Sequence, residues 1–413
     1  MPTTRKKTIM YLAPELPALS ATFVYNELNE LKAQGHEVYA SSVHEPSSFA
    51  ENSKLSTNDV FYLYNLATSQ KLSKFVTMSL THPLKVASTL LMLLSDIISL
   101  GVLNRTALGQ IYRFYNAVSL ADKIIKSDVE HLHIHFAHVP TDIGMYAAKM
   151  ASIPFSVQAH ANDIFERCWL LKEKIERSKF FATISKYNIT HLQQFSRNNE
   201  KLKLIHCGVV KRNFQQRKSL PKNDKFVIGF LGRLVEKKGT IYLLQAAKEL
   251  QDLNSNVVIE IIGNGPELED LKQYLKKYRV ENVSFLGQKP NHEISNWLTR
   301  LNCFVLPCVK DKNGDMDGIP VSLMEAMLIG VPVISTKVSG VPELVIANET
   351  GLIVETKNSE ALSNAILQII EMSDKELLKI VEQAKTHILT HFELEKETSK
   401  LSTLINEDNY ENN

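Results

Sequence analysis

Two acids in this chain, Asp317 and Glu325, bracket the start of a strongly apolar segment. From Ile319 to Ile334 every residue except Glu325 is apolar, small or proline, a pattern that reads as a buried helix. Pro320 fits its first turn, and Gly330 fits the position just past its end. A lone carboxylate inside such a helix is costly unless a partner reaches it. Around Gly318, Ile319, Pro320 and Val321, the free amide N–H groups of a helix start would form a small anion site. The two acids would thus flank a pole sized for a phosphate, with Asp317 at its mouth and Glu325 about a turn and a half deeper.

A second set of residues suits the same chemistry. The segment Gly232-Arg-Leu-Val-Glu-Lys-Lys-Gly239 is a glycine-bounded loop between an expected strand and helix. Arg233 offers a bidentate fork, and Lys237 and Lys238 offer point charges, so the loop is suited to a diphosphate. In Gly263-Asn-Gly-Pro-Glu267, glycines such as Gly265 let the backbone approach a ligand closely.

The first half of the chain carries a different set. Ser20 and Thr22 sit at the first strand-to-helix turn, the usual ligand edge of a parallel sheet, where one of them could equally cap the helix. His131, His133 and His135 alternate along one strand. Three histidines raise zinc, but no cysteine or carboxylate motif accompanies them, so no metal is expected. His135 and His138 lie at the strand's end and could face a cleft. His160, with Asn162 and Asp163 near it, lies at the end of the next strand, where an imidazole can hydrogen-bond a sugar hydroxyl or phosphate.

The elements that must hold these residues alternate strand and helix, which implies parallel sheets. At 413 residues, two or three domains are expected, and 44% apolar with 22% charged residues describes a globular protein with ample core. A net charge of +2 gives no reason to expect a nucleic-acid partner. The four cysteines form no CxxC pair and fit reduced thiols of a cytoplasmic protein. The start, basic and then apolar, resembles a leader, but Pro14, Glu15 and Pro17 interrupt it, so a first buried strand fits better. The expected plan is α/β, with two doubly wound Rossmann-like domains facing each other across a cleft. Residues 1–210 form the first, 211–225 a polar linker with Pro221, and 226–390 the second; 391–413 are a closing helix and tail. The C-terminal helices are expected to pack back on the first domain. The apolar stretch Val86 to Leu103 is interrupted by Asp96 and reads as a packed or membrane-surface helical hairpin rather than a span.

Taken in order and spacing, several motifs resemble glycosyltransferase family 4, of GT-B fold. They are Gly232 to Gly239, Gly263 to Glu267, Asp317 through Glu325-Ala-Met327, Ser339-Gly-Val-Pro-Glu343 and Thr350-Gly-Leu-Ile-Val354. Pro17 to Phe23, His133 to Ala137 and Ala159 to Ile164 are similar to its exopolysaccharide, colanic-acid-type branch. The resemblance implies a retaining transfer of a hexosyl-type sugar from a nucleotide-diphosphate sugar, without a metal or other cofactor. The acceptor it implies is a saccharide, polyprenyl-linked, met at the cytoplasmic face of a membrane. It implies that Arg233 and Lys238 hold the donor diphosphate and that Glu325 accepts hydrogen bonds from the ribose. Asp317 would touch the donor sugar, and His160 would lie near the donor–acceptor junction. Ser20, Thr22, His135, His138 and Asp163 would fall on the acceptor side. Two departures bear on donor and acceptor choice: Asp317 stands where the family has Glu, and Ala21 where the branch has Glu. Rival readings are a GT-B sugar-nucleotide epimerase or phosphorylase, and a non-catalytic sugar-nucleotide-binding partner of a polysaccharide assembly complex.

Overall fold

The computed structural model describes residues 6–407 apart from 19–20, 47–48, 51–52, 211–216, 218–220 and 222–223. The chain divides into two compact units. The first holds residues 1–184, 188–208 and 394–413, and the second residues 185–187 and 209–393.

The first unit is built on a seven-stranded, fully parallel sheet. Its strands are β1 (Thr8–Glu15), β2 (Glu37–His44), β3 (Val60–Tyr62), β4 (His131–His135), β5 (Phe155–Ala159), β6 (Phe181–Thr183) and β7 (Leu202–Leu204). The order is β3-β2-β1-β4-β5-β6-β7. The strand order therefore reverses between β1 and β4, and ligands bind parallel sheets at such a switch point, beyond the carboxyl ends of the strands. β4 and β5 are buried at every position, as expected of strands covered on both faces. The connection from β3 to β4 carries three helices: Thr68–Thr81, Pro83–Leu100 and Arg105–Lys126.

The C-terminal helix Leu394–Asn406 belongs to this first unit, against the helix Thr22–Ala33. Lys7 Nζ donates to the Ile405 carbonyl at 2.9 Å, His36 Nε2 lies 2.7 Å from Ser402 Oγ, and Glu397 accepts from the His206 amide at 2.8 Å. Leu401 and Ile405 are buried with Ile9, Leu28 and Leu31 in one apolar cluster.

The second unit repeats the plan with six parallel strands: β8 (Phe226–Leu231), β9 (Val257–Ile262), β10 (Val283–Gly287), β11 (Cys303–Leu306), β12 (Val333–Thr336) and β13 (Leu352–Val354). The order β10-β9-β8-β11-β12-β13 puts its switch point between β8 and β11. The helix Val321–Ile329 is apolar apart from Ser322 and Glu325, buries Leu323, Met324 and four further residues, and ends at Gly330. Pro320 is its N-cap, in extended conformation, one position earlier than the first-turn placement expected from the sequence.

Candidate active site

The two loops at the second switch point meet through charge. After β8 the chain runs from Gly232 to Gly239; after β11 it runs from Pro307 to Pro320. Lys237 Nζ lies 2.8 Å from Asp315 Oδ2 and 3.8 Å from Asp317 Oδ1, and Lys238 Nζ lies 2.7 Å from Asp317 Oδ2. Cys308 Sγ sits 3.2 Å from the same Asp317 oxygen. Burial favours the neutral form of both Lys238 and Asp317, but their mutual attraction outweighs it, so the lysine pKa is raised and the aspartate's lowered. Both groups are therefore charged near neutrality.

The loops come this close because two positions lack a side chain. Gly239 has φ +64°, and a Cβ there would stand 1.9 Å from the Pro307 carbonyl oxygen. A Cβ on Gly265 would stand 2.2 Å from the Leu234 oxygen. Gly265, from the loop after β9, thus presses backbone on backbone beside the basic loop.

Gly318, Ile319 and Pro320 are buried where the chain enters the helix at Val321, and among the described residues no side chain caps that helix. Glu325 is half-buried, with no hydrogen bond or ion pair among the described residues, and burial pushes its pKa up to about 7. Arg233 is exposed, and its guanidinium likewise has no partner among them. One unit thus presents a free guanidinium, two lysines held by carboxylates, an uncapped helix start and an unpartnered carboxyl.

In the first unit, the residues at the β1–β4 switch point form a buried hydrogen-bonded chain. Glu27 Oε1 accepts from Tyr11 Oη at 2.7 Å and lies 3.1 Å from His135 Nε2. His135 Nδ1 lies 3.2 Å from His160 Nε2, and His160 Nδ1 lies 3.6 Å from Cys207 Sγ. Burial raises the Glu27 pKa, but His135 and the hydrogen bonds of His133 and His135 outweigh it and hold the carboxyl well below its usual range. His160 goes the other way: burial, reinforced by His135, pulls it well below the usual imidazole range, so it is neutral. Phe136 and Phe23 pack on its ring at 4.5 and 4.7 Å.

Asp163 is fully buried, and burial raises its pKa against four backbone hydrogen bonds. Its carboxylate accepts from the amides of Ala137 (2.8 Å), His160 (3.1 Å) and Ala161 (2.8 Å). The side chain expected on the acceptor side is thus committed to the backbone, where it fixes the loop carrying His160. His138 is also buried, caps the Val139 amide at 2.8 Å, and is pulled down to about 3 by burial and then by Arg167, Lys174 and Arg113. Thr22 begins the helix Thr22–Ala33 and does not cap it; the N-cap is Ala21. Ser20 lies outside the described residues.

Sequence reasoning missed Glu27. It occupies a mid-helix position of ordinary amphipathic spacing, and only the pairing of β1 with β4 brings it to the histidines. With His133 and His135 it forms a trio whose ligating atoms lie within 4.8 Å of one another, close enough to hold an ion. The sequence reading found no carboxylate for these histidines; the fold supplies one. Hydrogen bonds already engage the trio: His133 Nδ1 lies 2.8 Å from Ser156 Oγ, which also lies 2.7 Å from His131 Nε2. Cys308 and Asp315, both in the lysine cluster, were also missed as site residues.

Two parallel α/β units, with a cationic cluster at the second unit's switch point, define a GT-B architecture. Residues 211–387, most of the second unit, match the family Glycosyl transferases group 1. Over 266 residues the chain is 29% identical to the putative colanic acid biosynthesis glycosyltransferase WcaL of Escherichia coli K12, a match covering 64% of this chain and 66% of that protein, just under two thirds. It is 26% identical to the amylovoran biosynthesis glycosyltransferase AmsK of Erwinia amylovora, over 93% of this chain and 95% of that one. Among solved structures, a glycosyltransferase from Rickettsia africae superposes with a TM-score of 0.71 at 17% identity, covering 98% of this chain and 100% of that one. Anabaena Alr3699/HepE in complex with UDP-glucose superposes with a TM-score of 0.70 at 15% identity, over 96% and 98% of the two chains.

Proposed function

We propose that this chain is a retaining glycosyltransferase. It moves a hexosyl-type sugar from a nucleotide-diphosphate sugar to a saccharide acceptor carried on a polyprenyl-type lipid. The product is an exopolysaccharide or other cell-surface polysaccharide, and the work is done on the cytoplasmic side. One observation carries the reading: Lys238 is held by Asp317 beside a helix start that, among the described residues, has no side-chain cap, with a Glu325 in that helix that has no partner among them. The activities named for the colanic acid and amylovoran relatives, and the UDP-glucose bound to the Anabaena protein, support it.

The chemistry follows from the charges. A donor diphosphate takes the place of the carboxylates on Lys237 and Lys238, and the free guanidinium of Arg233 adds a bidentate contact. The amides of Ile319 and Val321 add the positive end of the helix. Negative charge grows on the diphosphate as its bond to the sugar breaks, and these groups stabilise it without a divalent metal. Glu325 accepts the ribose hydroxyls, which favours its ionised form. Asp317, released from Lys238, reaches the donor sugar. The first unit takes the acceptor, where neutral His160 serves as a hydrogen-bonding group. The acceptor hydroxyl attacks on the face that the phosphate leaves, so the anomeric configuration is kept.

The test is a panel of nucleotide sugars, read by thermal shift and by release of nucleoside diphosphate. One donor should stabilise the fold and slowly lose its diphosphate. No stabilisation by any donor would sink the assignment of Arg233, Lys238 and Glu325. The non-catalytic binding reading has one observation behind it, the engagement of Asp317 by both Lys238 and Cys308. Donor binding without turnover on any acceptor, with turnover gained by Asp317→Glu, would favour it.

A further inference from the structure

The helix Pro83–Leu100 is fastened to the first unit by one face. Val86, Thr89, Leu93 and Asp96 form its buried stripe. Asp96 is clamped there, accepting from Arg177 Nη2 at 2.6 Å and Nη1 at 2.8 Å and from Tyr146 Oη at 2.8 Å. The outer face is left to solvent. Leu84, Leu91, Leu94 and Ile98 are 84%, 68%, 54% and 71% exposed, and Val102 and Leu103, just past the helix, are 61% and 97% exposed. Positions 84, 91 and 98 recur every seven residues and fall along one line of the helix. By length and composition this helix could cross a membrane, with a mean hydropathy of 1.5. The clamp opposes that: a span would carry Asp96 and Arg177 into hydrocarbon or pull them apart. A helix held by one face, with an aliphatic face outward, is suited to lie along a membrane surface.

We infer that this face docks on an anionic lipid bilayer, with its leucines seated at the boundary between headgroups and acyl chains. The charge pattern selects the occupant. Between Asn65 and Asp122 the sole carboxylate is Asp96, buried in its clamp, against the cations Lys71, Lys74, Lys85, Arg105 and Arg113. Lys74 is paired with Asp122 and Arg113 with Asp142, whereas Lys85 and Arg105 carry no ion pair among the described residues. They flank the apolar face near its two ends, placed to meet lipid phosphates. Protein interfaces are enriched in aromatic residues and arginine at their centre; the outer line of this helix is aliphatic, which matches acyl chains.

The docking is independent of the transferase reading and has its own readout. The full chain is sedimented with phosphatidylcholine vesicles and with vesicles that also contain phosphatidylglycerol. Most of the protein should pellet with the anionic vesicles and little with the neutral ones, and added salt should lower the bound fraction. The variant Leu91→Glu/Ile98→Glu should bind at least fivefold less, while Leu253→Glu, at an exposed apolar position of the second unit, should bind like wild type. If the double variant fails to fold, Leu84→Ser/Leu103→Ser takes its place and should also lose binding. Wild-type protein left in the supernatant with anionic vesicles, or a folded variant that pellets equally well, would overturn the inference. So would a dimer in vesicle-free buffer that the double variant dissolves, because a second copy would then cover the face. Diphosphate release without vesicles reads the transferase separately and should be unchanged in either variant.

Discussion

Asp317 Oδ2 lies 2.7 Å from Lys238 Nζ, so the acid proposed to reach the donor sugar is paired with the lysine proposed to hold its diphosphate. Each neutralises the other until a more strongly charged partner arrives. Asp317→Asn should therefore do two things. It leaves a largely buried ammonium without its anion, which costs on the order of 3 kcal/mol in stability. It also leaves Lys238 free for phosphate. The thermal shift produced by nucleoside diphosphate should accordingly be larger in the variant than in wild type; an equal shift in differential scanning fluorimetry would count against the pairing as a control on binding.

Arg233 offers the cleanest test of diphosphate binding, because it is exposed and has no partner among the described residues. Arg233→Ala should leave the melting temperature within about 1 °C, since surface substitutions of this kind change stability little. Turnover of the donor should fall by roughly 100-fold, the scale of losing one aimed donor at developing charge. Steady-state release of diphosphate, set beside the melting curve, separates the two effects.

Burial raises the pKa of Glu325 to about 7, above its ordinary 4.5. Between those values the folded chain holds a proton that the unfolded chain has released, so this group's contribution to stability falls as pH rises from about 4.5 to about 7. Glu325→Gln should remove that slope and be more stable than wild type at pH 8. It should also weaken donor binding about tenfold, as expected when a charged hydrogen-bond acceptor becomes neutral. Urea titrations across this range, with calorimetric binding at pH 8, test both halves.

Glu27 behaves in the opposite sense. Its folded pKa is held below the ordinary value, so its stabilising contribution is fully present above about pH 4.5 and is lost as pH falls through the folded value. Glu27→Ala should cost about 3–5 kcal/mol at pH 7, by leaving Tyr11 and His135 without their shared anion in a buried site. The gap between variant and wild type should narrow in acid. A constant gap from pH 7 to pH 3 in chemical denaturation would refute the assignment.

The basic loop, the glycine turns and the solitary Glu325 could be read from the sequence because each signal lies within a few neighbouring residues. The parallel sheets could be read because strands and helices alternate with clear periods. Asp96 was legible as the residue that spoils a membrane span, but its partners Arg177 and Tyr146 were not, since they lie 81 and 50 positions away. Glu27 was hidden for the same reason, being 108 residues from His135. Asp163 shows a different limit. Its place in a loop with His160 was visible, but three short backbone contacts, which no side-chain pattern announces, decide that it braces the loop.

The helix Leu394–Asn406 completes the first unit, although the whole second unit precedes it in the chain. A chain emerging from a ribosome therefore makes the β1-to-β7 sheet early and must wait for its last helix. Until then the faces around Ile9, Leu28 and Leu31 lack Leu401 and Ile405. During that interval all of the second unit has already emerged and can fold, while the first is open and in need of protection from aggregation. A premature stop after residue 393 would thus leave the second unit whole and damage the first one.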